Sequence, residues 1–228
     1  MNVGRIFGPV CIVCGLLLAA GCGEGDGRAK VPPEFAARID AIGASLMHGG
    51  RGFPHREGFA ETDRLFDAIP EGAGRRAAAL AFSDMLLALD LGGILPYPSR
   101  ESSVILWQSY LNQSLELMNK GGVAPDMVMD RYFKGFSKYR DACLGVPVDG
   151  QRAGESRRDF ISRYSCAYIL RDHYKMALSI FRRFWLPNLS RYFPPELHDE
   201  FRRRLKVFER SEPSRLPRTL PRRATSKP

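Results

Sequence analysis

Residues 159–185 read DFISRYSCAYILRDHYKMALSIFRRFW. Phe160, Tyr164, Ala167, Leu170, Tyr174, Leu178, Phe181 and Trp185 recur at steps of three and four, the period of one helical face. At about 1.5 Å per residue such a helix runs roughly 40 Å, enough to cross a small domain. Its other face carries Arg158, Ser162, Asp172, Lys175, Ser179 and Arg182. The pattern predicts a long buried central helix with the other segments packed around it.

Working outward, the same period recurs on both sides. Residues 34–48 place Phe35, Ile39, Ile42 and Leu46 on one face behind Pro33. Thr62 is placed to cap a short helix bearing Leu65, Phe66 and Ile69, and Pro70-Glu71-Gly72 breaks it. Residues 75–91 are apolar and helix-favouring, but Arg75, Arg76, Asp84 and Asp90 mark them as core and not as a membrane span. After Gly92-Gly93 and Pro96-Tyr97-Pro98, residues 99–120 set Ile105, Tyr110, Leu111, Leu115 and Met118 inward, with Trp107 unassigned. Pro125 and Asp126 open a helix to Leu144 whose stripe is Met129, Phe133, Phe136, Tyr139 and Cys143. Pro187 ends the central helix, and residues 196–210 turn Leu197, Phe201, Leu205 and Phe208 inward. No stretch alternates as a strand does. The expected fold is all-α, an irregular bundle of six or seven helices spanning residues 34–210.

That domain is long enough to bury a core without metal or disulfide support. The full chain has 228 residues and a net charge of +9, from 34 Lys and Arg against 25 Asp and Glu. Such a charge favours anionic partners: anionic lipid, acidic glycan or an acidic protein face, with nucleic acid a weaker fit.

The first 22 residues hold Arg5, an apolar run over residues 6–20 that contains Gly8, Pro9 and Gly15 and no charge, and then Leu18-Ala19-Ala20-Gly21-Cys22. This resembles the signal peptide and lipobox of bacterial lipoproteins. The resemblance implies that the leader is removed before Cys22 and that Cys22 carries the lipid, which anchors the chain to the membrane. Ala19 stands where that family most often has Leu. Gly23 follows the cysteine in place of the Asp that commonly retains such proteins in the inner membrane, which implies an outer-membrane location facing the periplasm. The stretch from Ile6 to Gly21, 16 residues, also suits a plain cleavable signal and is short of the ~20 that span a bilayer. Residues 23–33 are polar and glycine-rich and read as a flexible tether with a reach of ~17 Å. Residues 211–228 contain four prolines and five basic residues against Glu212, and read as a disordered basic tail.

Chemistry is sparse. His48, His55, His173 and His198 have no metal-site spacing, and the Cys11-x-x-Cys14 pair lies in the leader, so no metal or cofactor is implied. No nucleophile elbow or cysteine-nucleophile motif is present. Asp172-His173 and Glu196-x-His198 are the pair that would serve an acid–base site if their helices brought them together. Arg51, His55 and Arg56, in the glycine-bounded segment 49–58, form a candidate anion-binding loop. Cys143 and Cys166 remain once the leader is gone, an even pair that invites a disulfide in an oxidising compartment. A simple antiparallel hairpin would set them roughly 15 Å apart along the helix, against the ~5.5 Å a bridge needs. Three functions fit: a non-catalytic binding or adaptor lipoprotein, a helical hydrolase of envelope material, and a carrier of an apolar ligand between the Met-bearing helix and the central one.

Overall fold

A computed structural model describes residues 30–49, 55–91 and 99–213. Within them the chain forms seven α-helices and no strand. They are α1 (Pro33–Met47), α2 (His55–Asp67), α3 (Ala73–Ala88), α4 (Ser99–Lys120), α5 (Pro125–Leu144), α6 (Arg157–Ile180) and α7 (His198–Arg210). Cys22, the tether to Ala29, Arg51 and the tail beyond Pro213 lie outside the described residues.

The punctuation read from the sequence has local causes. Proline occupies the first turn of α1 and of α5, where its missing N–H costs nothing. Asp126 accepts the N–H of Met127 at 2.8 Å, tying a carboxylate to the positive end of α5. Gly122 turns the chain after α4 at φ 66°, a backbone region that side chains disfavour, while the Val123 N–H returns to the Met118 carbonyl at 3.1 Å. Ser156 caps α6, accepting the Asp159 N–H at 3.1 Å and donating its hydroxyl to the Asp159 carboxylate at 2.6 Å. The helix therefore starts three residues earlier than its apolar stripe.

Two expectations need correcting. Thr62 caps nothing: it lies inside α2, fully buried, and donates its hydroxyl to the Gly58 carbonyl at 2.8 Å. The pattern beginning at Leu65 was only the second half of a longer helix whose first half is polar. The hub is also not the longest helix. α6, with 24 residues, packs on α4 and α5, whereas α4 packs on α1, α2, α3, α5 and α6. Trp107, the side chain without an assigned place, lies at that hub, fully buried and stacked on Tyr139 with ring centroids 6.5 Å apart.

Between α5, α6 and α7 the core is a raft of aromatic rings. Phe136 meets Phe181 and Phe208 at 4.9 Å each and Tyr174 at 6.1 Å. Each such ring contributes roughly 1.5–3 kcal/mol on burial. The Tyr174 hydroxyl donates to the Phe208 carbonyl at 3.0 Å, which fixes α7 to α6. Beyond the last carbonyls of α7, Glu212 accepts from Arg182 at 2.9 Å, so the folded part extends past the expected boundary at 210.

α6 does not stop at Ile180. It widens into a π turn over Phe181–Trp185, where the Leu186 N–H reaches back to the Phe181 carbonyl, and then tightens to a 3₁₀ turn over Leu186–Arg191. Pro187 has no N–H to donate back, so the regular ladder must end there. Phe181 and Trp185, four residues apart, both pack on Tyr132, at 6.0 and 5.6 Å, while Phe184 between them is turned to solvent, 64% exposed.

Candidate functional site

The charged residues that the sequence singles out do not assemble. His55 and Arg56 form the first turn of α2, so the segment expected to be a loop as far as Gly58 is helical from His55 onward. Asp172 and Glu196 are exposed on α6 and before α7. The His198 ring shares a hydrogen bond with the Phe193 carbonyl, 2.9 Å from Nε2. His173 lies instead beside Glu101 of α4, whose carboxyl is pushed up by burial and drawn back down by the His173 charge. No hydrogen bond or ion pair joins any two of Asp172, His173, Glu196 and His198. An acid–base pair needs them within hydrogen-bond reach and mutually oriented, and no such bond joins them.

One cavity of about 280 Å³ opens where the ends of α3 and α5 meet the start of α4, lined by Asp90, Leu91, Arg100, Lys138, Asp141 and Gly145. Its charges are largely committed. The Lys138 ammonium donates to the Leu87 carbonyl and, at 3.2 Å, to that of Leu89, satisfying the carbonyl end of α3. Asp141 is paired with Arg140 at 2.8 Å. The Arg100 Nε is buried without a hydrogen-bond partner. None of the four residues of the acid–base pair lines this space. Among the described residues no three His, Cys, Asp or Glu side chains converge as metal ligands.

Behind the cavity lie the two cysteines, buried and unbridged. Burial pushes the Cys143 thiol up to about 12 and the Cys166 thiol up to about 11. Both thiols sense the Arg100 guanidinium, and Cys143 senses Cys166 directly, so they are neighbours although a simple hairpin would separate them. The Tyr139 hydroxyl, without an oxygen or nitrogen partner, faces Cys143. The space between α5 and α6 that would carry an apolar ligand is taken up by the rings of Tyr132, Phe136, Tyr139, Tyr174 and Phe181.

Two features escaped the sequence reading. Arg163 is a charge on the buried face of α6, 3% exposed, engaged by the loop before it. Met176, Ile180 and Phe184 are the other: 54%, 38% and 64% exposed, they form an apolar row along the solvent side of α6 and its π turn. The signal was present, since these three side chains are four residues apart and fall among the polar positions of the helix.

Comparison with protein-family models, with curated protein sequences and with solved structures finds no match for this chain. No described helix is long and apolar enough to cross a membrane.

Proposed function

We propose that the chain is a lipid-anchored protein of the bacterial cell envelope, held through Cys22 at the outer membrane and facing the periplasm, and that its helical domain works by binding an anionic partner without catalysis. The observation that carries the reading is the sequence Leu18-Ala19-Ala20-Gly21-Cys22 behind an apolar run, followed at once by a polar, glycine-rich tether. Stable anchoring takes more than one acyl chain, which the lipoprotein-type modification at Cys22 would supply. The sign of the partner follows from charge. Removal of the leader takes away only Arg5 and leaves the mature chain at +8. A hydrolase reading would need an acid–base pair, and no hydrogen bond joins the residues that the sequence offers for one.

Intact-mass measurement and membrane fractionation of the native protein test the anchor. The expected mass begins at Cys22 with acyl chains attached, and Cys22→Ser should abolish both the modification and the membrane fractionation. Crosslinking in the native envelope tests binding. Recovery of hydrolytic activity on envelope polymer, lost in His173→Ala, would overturn the non-catalytic reading.

A further inference from the structure

The row Met176, Ile180 and Phe184 sits among charges with a consistent pattern. Arg182 is engaged by Glu209 and Glu212, and Arg202, Arg203 and Arg204 of α7 are matched by Asp199, Glu200 and Asp130. Lys175, Arg183 and Arg191 are different. Among the described residues none of the three makes an ion pair, and the Arg191 guanidinium lies over the face of Tyr192 at 5.8 Å. Tyr192 in turn stacks on Trp185 at 4.8 Å, which places Arg191 next to the π turn that presents Phe184. Asp172, one turn before Met176, is an exposed carboxylate on the same helix. The patch is thus an apolar row on a stretch of chain whose cations Lys175, Arg183 and Arg191 are uncommitted among the described residues.

We infer that this face of α6 and its π turn docks on an anionic lipid surface, the three apolar side chains entering the interface and Lys175, Arg183 and Arg191 meeting headgroup phosphates. The inference rests on the anchored reading above and names the partner. Amphipathic interfacial segments are built this way, with apolar side chains buried to the depth of the headgroup boundary and basic ones beside them. Size argues against a second copy of the chain as the occupant. Three side chains exposed by about half present on the order of 300 Å², whereas a stable protein interface takes about 800 Å² from each partner.

Chain direction agrees. Phe35, just inside the start of α1, packs on Phe66 at 5.7 Å, and the next residue, Asp67, pairs with Lys120 at the end of α4. Trp185 packs on Tyr132, two turns into the helix that follows that same end of α4. The chain therefore enters the bundle at Pro33 in the half that carries Phe184. With Cys22 lipidated, the tether of ~17 Å holds that half nearest the bilayer.

Hydroxyl-radical footprinting of the full chain, read residue by residue by mass spectrometry, tests the docking independently of how the chain is anchored. On vesicles of phosphatidylglycerol with phosphatidylcholine, Met176 and Phe184 should lose reactivity several-fold relative to detergent solution, with Val207 on α7 and Leu80 on α3 unchanged. The protection should weaken as salt rises and be absent on phosphatidylcholine alone. Each basic residue near an anionic surface contributes roughly fivefold to partition, so Arg183→Glu with Arg191→Glu should abolish the protection while circular dichroism stays native. Equal protection on both vesicle types, or protection that grows with protein concentration and needs no vesicle, would overturn the inference in favour of a purely apolar contact or a second copy. A chain that fractionates with membranes through Cys22, yet keeps Met176 and Phe184 fully reactive on anionic vesicles, would sink the docking and leave the anchor standing. Protection on anionic vesicles of a native chain whose intact mass shows no acyl group at Cys22 would do the reverse.

Discussion

Arg163 and Glu155 meet through two parallel hydrogen bonds, from Nε to one carboxylate oxygen at 2.8 Å and from Nη2 to the other at 2.9 Å. The same guanidinium also donates to the Asp149 carboxylate at 2.7 Å and to the carbonyls of Pro147 and Gly150 at 2.8 and 3.0 Å. A single side chain of α6 thus organises the connection from α5, which has no regular structure of its own. A planar, five-donor group suits this task as an ammonium does not.

Replacing Arg163 by Ala strips the loop of its partner and removes its hydrogen bonds to the Pro147 and Gly150 carbonyls and its pairing with Glu155 and Asp149. The expected loss is about 3 kcal/mol, the lower part of the range for breaking a buried ion pair. Arg163→Lys should recover only part of it. Urea unfolding of the three proteins measures the series, and a near-neutral Ala variant would show that the loop holds itself.

Acid should weaken the same connection. The Arg163 guanidinium, helped by the Arg152 N–H at 3.0 Å, holds the Glu155 carboxyl down at about 2 instead of the ordinary 4.5. Asp149 is also lowered, first by its hydrogen bond from Arg152. A carboxyl depressed on folding adds stability that is complete above its unfolded value and disappears as pH falls through its folded one. Stability should therefore decline between about pH 4.5 and pH 2. Glu155→Gln should be less stable at neutral pH and should show a shallower acid slope in thermal melts taken across that window.

Gly135 on α5 lies where α5 and α4 approach most closely. A Cβ there would fall 2.5 Å from Leu111 Cδ1 and 3.4 Å from Trp107 Cη2. Gly135→Ala gains about 1 kcal/mol of helix propensity. Overpacking costs about 1 to 3 kcal/mol, and the buried Leu111 and Trp107 have little room to shift. A net loss of stability is expected, together with changed tryptophan fluorescence at Trp107. A more stable variant would mean that the α4–α5 contact is loosely packed.

Both thiols should be inert in the native protein. Their upward shifts and burial keep them protonated and out of reach at neutral pH. Maleimide labelling, quantified on the peptides that contain Cys143 and Cys166, should be negligible before denaturation and complete after it without reductant. Labelling after denaturation that requires a reductant would reveal a bridge.

Helix positions and ends were legible in the sequence because they depend on local features: the 3.6-residue period of Phe160 to Trp185, proline at Pro33 and Pro125, and glycine at Gly122. The all-α bundle follows from those alone. Where the sequence misled, the first half of α2 had no apolar stripe to reveal it, so Thr62 looked like a start. Periodicity reports which face of a helix is buried but not what covers it. Hence α6 was recognised as buried, while the role of α4 as hub appeared only when five helices were seen against it. Charge behaves likewise. Arg163 reads as one more cation in the sequence, and only the fold of residues 147–155 around it makes it a structural centre. Asp172, His173 and His198 looked combinable because sequence gives no distances, and separate partners at Glu101 and Phe193 hold the histidines apart. The row of Met176, Ile180 and Phe184 was written in the spacing, but its exposure was decided by tertiary structure: the aromatic raft takes Phe181 and Trp185, and the π turn before Pro187 leaves Phe184 no place inside.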